Sequence, residues 1–183
     1  TELWDLSLVD PDNRRPVDYR RRSEALAALE KREAEIGPRE LIRELLAGWE
    51  DGRIKLYIIS RALGFRRENR ELFEKGDYLP LEASGDKGRH VCAFARRMAG
   101  KSVIAVVPRF IATLVPEPGI PPCGDEVWGG AFLGLPGEAA GTSYRNVFTG
   151  ETISVREREE GAILPLAGVF AGAPVALLEK GGQ

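Results

Sequence analysis

Five polar side chains fall within one short turn near the start of the 183-residue chain: Asp10, Asp12, Asn13, Arg14 and Arg15. Two carboxylates, one amide and two guanidinium groups offer both acceptors and donors, which suits the binding of a hydroxyl-rich ligand. The same residues also fit a purely structural turn, in which Asp12 or Asn13 accepts backbone N–H groups and the arginines form local pairs. The spacing alone leaves both interpretations open.

The two aspartates of this turn do not fit the catalytic pair of a glycosidase. Such an enzyme holds two carboxyl groups on opposite sides of the scissile bond, one as acid and one as nucleophile or base. Asp10 and Asp12 are only two residues apart in the chain, and no second acidic constellation stands out at a strand end. We therefore assign no catalytic residue within the chain.

Other residues whose types could take part in binding or catalysis are more readily explained by structural roles. His90 is the only histidine and opens an apolar strand pattern, so we expect it to be a hydrogen-bonded structural residue. Cys92 and Cys123 are too few for a disulfide framework or a zinc site, and Cys92 is predicted to be a small core residue. Trp128 and Tyr144 could stack on a sugar ring, although core packing is the commoner role of such aromatics.

The composition excludes several classes of protein. Lys and Arg number 26 against 28 Asp and Glu, which argues against non-specific binding of nucleic acid. No apolar run reaches the roughly 18–20 residues of a membrane span. No glycine-rich loop precedes a helix, so neither a phosphate-binding loop nor a cofactor is expected. A cytoplasmic location is expected.

The polar turn precedes a helical region that extends to about residue 75. Pro16 suits the first position of a helix, which is predicted to run to residue 36, and residues 37–38 break it and begin a second one. A third helix is predicted over residues 53–67. Because this third helix is apolar over most of its circumference, it needs cover on more than one side.

The pattern changes to short strands from residue 77 onward. Hairpin-length connections such as residues 99–100 and 149–150 favour antiparallel pairing, because a parallel crossover needs a dozen residues or more. About eight strands in this length indicate a two-sheet sandwich or a related barrel. The candidate strands are residues 78–83, 89–98, 101–108, 131–135, 143–148, 151–156, 162–166 and 174–179.

One of these strands, residues 102–107, is apolar on both faces. A sandwich strand with one solvated face would alternate apolar with polar residues, so the outer face of this strand must also be covered. The helices of the chain or a neighbouring domain could provide that cover.

Several stretches of the sequence together resemble the C-terminal part of maltooligosyl trehalose synthases, a family within the α-amylase superfamily. The most specific stretch is ELWDLSLVDPDNRRPVD at residues 2–18. The other matching stretches are GDYLPL at 76–81, HVCAFAR at 90–96, VVPR at 106–109, NVFTG at 146–150 and PVALL at 174–178.

This resemblance implies an α+β chain with two parts. Residues 1–75 would be the end of a catalytic β/α barrel plus a helical segment, and residues 76–183 would be an antiparallel, sandwich-like C-terminal domain. The abrupt start would be the cut end of the barrel. The third helix, which is apolar over most of its circumference, would face structure outside the chain. The same holds for the strand that is apolar on both faces.

The resemblance also implies an activity. Enzymes of this family convert the terminal α-1,4 link of a maltooligosaccharide into an α,α-1,1 link by intramolecular transglucosylation, an isomerase reaction. The catalytic carboxylates would lie in the upstream barrel, so the chain by itself would be inactive. The turn at residues 10–15 would lie on the substrate face of the barrel and contact the maltooligosaccharide. The alternative is an α-glucan-binding or structural β module of another enzyme of the superfamily.

Overall fold

The computed structural model describes residue 3, residues 17–115, residue 117 and residues 119–181 of the chain. Within these residues, four consecutive helices cover one face of a six-stranded antiparallel sheet, and a four-stranded antiparallel sheet covers the other face. No helix in these ranges combines the length and the apolar character that a membrane span requires. The α+β architecture predicted from the sequence is confirmed.

The helical layer follows the predicted pattern except at its start, because the first helix begins at Tyr19 and not at Pro16. The first helix is capped by Asp18, whose side chain accepts a hydrogen bond from the backbone N–H of Arg21 at 2.9 Å. Gly37 ends it with a φ of 81°, and Pro38 begins the next helix at the position where its missing N–H has no intrahelical partner. The four helices are α1 (Tyr19–Ile36), α2 (Pro38–Ala47), α3 (Arg53–Glu68) and α4 (Arg70–Lys75).

Among the described residues, the β region contains ten strands and three α-helices of four residues each. The strands are β1 (Asp77–Leu81), β2 (Ala83–Ser84), β3 (Val91–Met98), β4 (Lys101–Pro108), β5 (Phe132–Gly134), β6 (Ser143–Asn146), β7 (Thr152–Ser154), β8 (Arg156–Arg158), β9 (Gly161–Pro165) and β10 (Ala176–Lys180). The short helices are α5 (Ile111–Leu114), α6 (Asp125–Trp128) and α7 (Leu166–Val169).

The strands form two sheets with a simple antiparallel order. The larger sheet has the order β1-β3-β4-β10-β6-β7, and the smaller sheet has the order β2-β5-β9-β8. β3 and β4 are joined at Ala99 and Gly100, whose φ angles of 49° and 81° match the two-residue hairpin turn that the sequence indicates. The segment 151–156, predicted as one strand, is divided: the chain crosses from the larger to the smaller sheet at the buried Val155.

Two apolar cores lie on opposite faces of the larger sheet. On β4, Ile104 and Val106 pack in the core between the sheets, while Val103 and Ala105 pack in the core beneath the helices. The prediction that both faces of this strand are covered is therefore confirmed for these four residues, but not for Val107, which is 41% exposed. The cover of Val103 comes from the helices of this chain, so the expectation that the strand faces structure outside the chain is wrong for that residue.

Cys92 corrects another prediction. It was expected in the core, but its side chain is exposed. Alternation along β3 buries Val91 and Ala93 between the sheets and turns Cys92 to the opposite face, where its strand partner Val107 is 41% exposed. The side chains of Cys92 and Val107 therefore remain exposed on the face that the helices cover elsewhere.

The third helix is only partly covered. Leu56, Tyr57 and Phe65 of α3 are buried, whereas Ile54 is half-buried and Leu63 is 58% exposed. The helices and sheets described therefore leave a portion of this apolar helix in contact with solvent.

Candidate functional site

The residues predicted to bind substrate, Asp10, Asp12, Asn13, Arg14 and Arg15, lie outside the described residues. Their role stays a prediction. The sites that the structure does describe are a polar cleft at the open edge of the sandwich, a buried charge cluster and an apolar groove beside the helices.

The polar cleft forms where the chain passes from one sheet to the other. β7 is the edge strand of the larger sheet and β8 is the edge strand of the smaller one, and both border the cleft. Its volume is about 570 Å³, within the roughly 300–1,000 Å³ of small-molecule sites. The residues that line it are Asp125, Gly129, Gly130, Ala131, Phe132, Glu151, Thr152, Ile153, Ser154, Arg156, Glu157, Arg158, Ile163, Pro165, Ala167, Gly168 and Ala171.

Charges of both signs line this cleft. Glu151 is held by Arg39 of α2 at 3.2 Å, and the guanidinium of Arg158 lies over the ring of Phe132, 4.7 Å from its centre. Within the described part of the chain, neither Arg156 nor Glu157 has a side-chain hydrogen bond or ion pair. These two groups are therefore available to a ligand in the cleft.

A buried carboxylate lies at a different place in the fold. The side chain of Glu138 is only 4% exposed and accepts a 2.8 Å hydrogen bond from Nζ of Lys180. The guanidinium of Arg97 lies 3.4 Å away and donates a 2.7 Å hydrogen bond to the carbonyl oxygen of Pro136. Two cations thus compensate one buried anion, as the cost of burying an isolated charge requires.

Tyr144 lies beside this charge cluster and is fully buried. Its hydroxyl group is 3.3 Å from the Oγ atom of Ser102. Burial is the main cause that raises the pKa of Tyr144 to about 12, and the nearby Glu138 carboxylate acts in the same direction. A phenol with this pKa is neutral at physiological pH, and its position is that of a core residue.

The apolar groove lies between the helical layer and the loop that follows α5. Its volume is about 510 Å³. Trp49 and Ile120 are exposed to 41% and 47% although both line the groove. Grouped apolar exposure of this kind marks an interaction surface in proteins. The lining residues are Leu46, Trp49, Ile54, Lys55, Ile58, Ile111, Gly119, Ile120, Pro121, Pro122 and Pro174.

The remaining candidates from the sequence are structural. His90 is buried, its Nε2 accepts a 3.1 Å hydrogen bond from Nε of Arg89, and its Nδ1 lies 3.3 Å from the carbonyl oxygen of Arg109. Trp128 is also buried, stacks on Phe170 and donates a 2.8 Å hydrogen bond to the carbonyl oxygen of Pro122. The described residues contain no cluster of acidic, histidine or cysteine side chains that could hold a metal ion.

Sequence reasoning missed the polar cleft. Its polar residues come from segments that are well separated in the chain, from Asp125 to Arg158, and only the crossing between the sheets brings them together. One available signal was the run of five charged residues at 156–160, since consecutive charged residues are typical of an edge strand.

Comparison with known proteins shows where this chain has relatives. No protein-family model matches it. It is 34% identical over 180 residues to two proteins from Mycobacterium tuberculosis strains, CDC 1551 and H37Rv, that carry the name maltooligosyl trehalose synthase. The resemblance to the maltooligosyl trehalose synthase family is confirmed. The match covers 98% of this chain and 18% of each relative.

The solved structure of maltooligosyltrehalose synthase from Arthrobacter ramosus is similar in the same way. It superposes with a TM-score of 0.64 and 33% sequence identity, over 98% of this chain and 19% of that protein. The chain therefore resembles one portion of these synthases, with the same succession of helices and antiparallel sheets, and spans about a fifth of their length.

Proposed function

We propose that this chain acts as the C-terminal part of a maltooligosyl trehalose synthase. The reaction would convert the terminal α-1,4 link of a maltooligosaccharide into an α,α-1,1 link by intramolecular transglucosylation, an isomerase activity located in the cytoplasm. The observation that carries this proposal is 34% identity along 98% of the chain. The resemblance thus extends through both the helical layer and the β region.

The chain would contribute structure and a substrate-contacting turn to this reaction. The catalytic carboxylates would come from an upstream barrel, as the resemblance to the family implies. Asp10, Asp12, Asn13, Arg14 and Arg15 would hydrogen-bond to substrate hydroxyl groups. The division into residues 1–75 and residues 76–183 belongs to this proposal.

The apolar groove would be one contact with the barrel. Isolated apolar side chains are common on protein surfaces, but a groove with so many apolar residues is not. Since the matched relatives are about five times longer than the matched region, they contain ample additional structure to cover such a surface. Trp49 and Ile120 would become buried in that contact.

The test compares the chain alone with a polypeptide that joins it to the upstream region of its parent. Conversion of maltoheptaose is followed by loss of reducing ends and by chromatography of the non-reducing product. We expect turnover by the longer polypeptide and none by residues 1–183. Turnover by the chain alone, or an active parent that only hydrolyses maltoheptaose, would contradict the proposal.

A further inference from the structure

We propose that the polar cleft between β7 and β8 binds a short segment of a neutral oligosaccharide. This inference goes beyond the proposed function, because it concerns binding by the described residues and requires no turnover. It is carried by the balance of charges in the cleft, by the polar groups that have no partner, and by the apolar surface beneath them.

The charges that line the cleft nearly cancel. Asp125, Glu151 and Glu157 are opposed by Arg156 and Arg158. A phosphate or sulfate ligand would need a clear excess of cations, and a cationic ligand would need a clear excess of anions. Near balance, with donors and acceptors side by side, suits a ligand whose groups both donate and accept, as sugar hydroxyls do.

Several polar side chains of the cleft are not used in hydrogen bonds or ion pairs that hold the fold together. The hydroxyls of Thr152 and Ser154 and the side chains of Asp125, Arg156 and Glu157 make no hydrogen bond or ion pair with any residue the structure describes. The hydroxyls come from an edge strand of one sheet, and the neighbouring charges come from an edge strand of the other. A ligand between the strands could therefore contact both.

Apolar atoms form the remaining surface of the cleft. Ile163 and Pro165 come from β9, and Ala167 comes from α7. The ring of Phe132 also lines the cleft, and the guanidinium plane of Arg158 lies over it. Sugar rings present C–H groups on their faces and hydroxyls on their edges, so a mixed lining of this kind complements them.

An extended peptide is a poorer occupant of the same edge. Strand addition requires a row of free backbone groups that a second chain can approach. All three residues of β8 are charged and exposed, a composition that natural sheets use to prevent such pairing. The oligosaccharide is therefore the occupant that the charges favour.

The test is calorimetric titration of the 183-residue chain with maltoheptaose. We expect binding with a dissociation constant on the order of 1 mM, almost unchanged when the salt concentration is raised, because the ligand carries no charge. Arg156→Ala should weaken binding at least fivefold. Its control, Arg66→Ala, removes an exposed arginine of α3 and should leave the affinity unchanged.

A glycine at the cleft provides a steric test. A Cβ atom at Gly130 would meet no atom within 4 Å, so Gly130→Leu should fold normally and place its side chain at the cleft. We expect this variant to lose binding, while Gly64→Leu, an equally open position on α3, retains it. Absence of binding by the unmodified chain, or binding unchanged in both Gly130→Leu and Arg156→Ala, would overturn the inference.

Discussion

The hydroxyl group of Tyr57 lies 3.1 Å from the carbonyl oxygen of Phe148, which is 91 residues further along the chain. The same hydroxyl is 3.0 Å from Oε1 of Glu33 on α1. Burial, followed by the charge of Glu33, raises the pKa of Tyr57, so its proton remains available for donation. Both partners are acceptors, so they share this one proton, and the hydroxyl links α1 and α3 to the turn between β6 and β7.

Tyr57→Phe should therefore destabilise the fold. The ring still fills its place, but the buried carbonyl of Phe148 loses its donor, at a cost of about 1–3 kcal/mol. Urea unfolding followed by circular dichroism measures the change. Tyr19→Phe, at a residue that is 71% exposed, is the matched control and should be neutral. Equal stability of the two variants would show that the Tyr57 hydroxyl contributes nothing.

Alkaline pH should weaken the fold through Tyr144. Its pKa is raised from an ordinary 10.0 to about 12, so the folded chain keeps a proton that the unfolded chain releases. The resulting stability is complete below pH 10 and is lost as the pH rises toward 12, by roughly 2–3 kcal/mol. Tyr144→Phe should unfold with a weaker dependence on pH in this window. An unchanged dependence would contradict this assignment.

The two cysteines should differ in their rate of alkylation. Cys92 is exposed, whereas burial raises the pKa of the Cys123 thiol to about 11. At pH 8 only about one in a thousand Cys123 side chains would be a thiolate, which is the reactive form. We expect iodoacetamide to modify one site rapidly, and peptide mass spectrometry to locate it at Cys92. Faster modification of Cys123 would contradict the burial.

The polar turn near the start of the chain should affect catalysis in the parent enzyme. Arg14→Ala removes a guanidinium that we propose to contact substrate, and the loss of one charged hydrogen bond should lower kcat/KM about tenfold to a hundredfold. Thermal unfolding should be unchanged, and Arg66→Ala should leave the kinetics unaltered. Unchanged kinetics in Arg14→Ala would remove this residue from the site.

If the apolar groove is buried in the parent enzyme, a substitution there should affect the stability of the parent more than that of the isolated chain. Ile120→Ser should hardly affect the isolated chain, because the side chain is nearly half exposed there. In the parent, where we propose that it is buried, the same change should lower stability by about 1–3 kcal/mol. Leu63→Ser, at an exposed residue outside the groove, is the control. Equal effects in the chain and the parent would argue against contact at the groove.

The elements that the sequence predicted well are those with a local signal. α2 begins with Pro38 between two capping glycines, α3 begins after Gly52, and the apolar residues of both helices recur with helical spacing. The hairpin of β3 and β4 follows from its two-residue turn. By contrast, α5, α6 and α7 have four residues each, which is too short for a period to be recognised.

Features that depend on tertiary packing could not be predicted in the same way. Alternation assigns Cys92 to a face of its strand, but it does not reveal how far the helices extend across that face. The apolar and polar residues of 151–156 likewise do not show that the chain changes sheets at Val155. The polar cleft depends on that crossing, so it had no local signature.

The last strand has a consequence for how the chain is made. β10 is inserted between β4 and β6 at the centre of the larger sheet. Ala176 and Leu178 complete the core between the sheets, while Leu177 completes the core under the helices. During synthesis, neither core can close until β10 has left the ribosome. Until β10 pairs, the earlier strands therefore keep apolar surface exposed, and its insertion between β4 and β6 is a late step of folding.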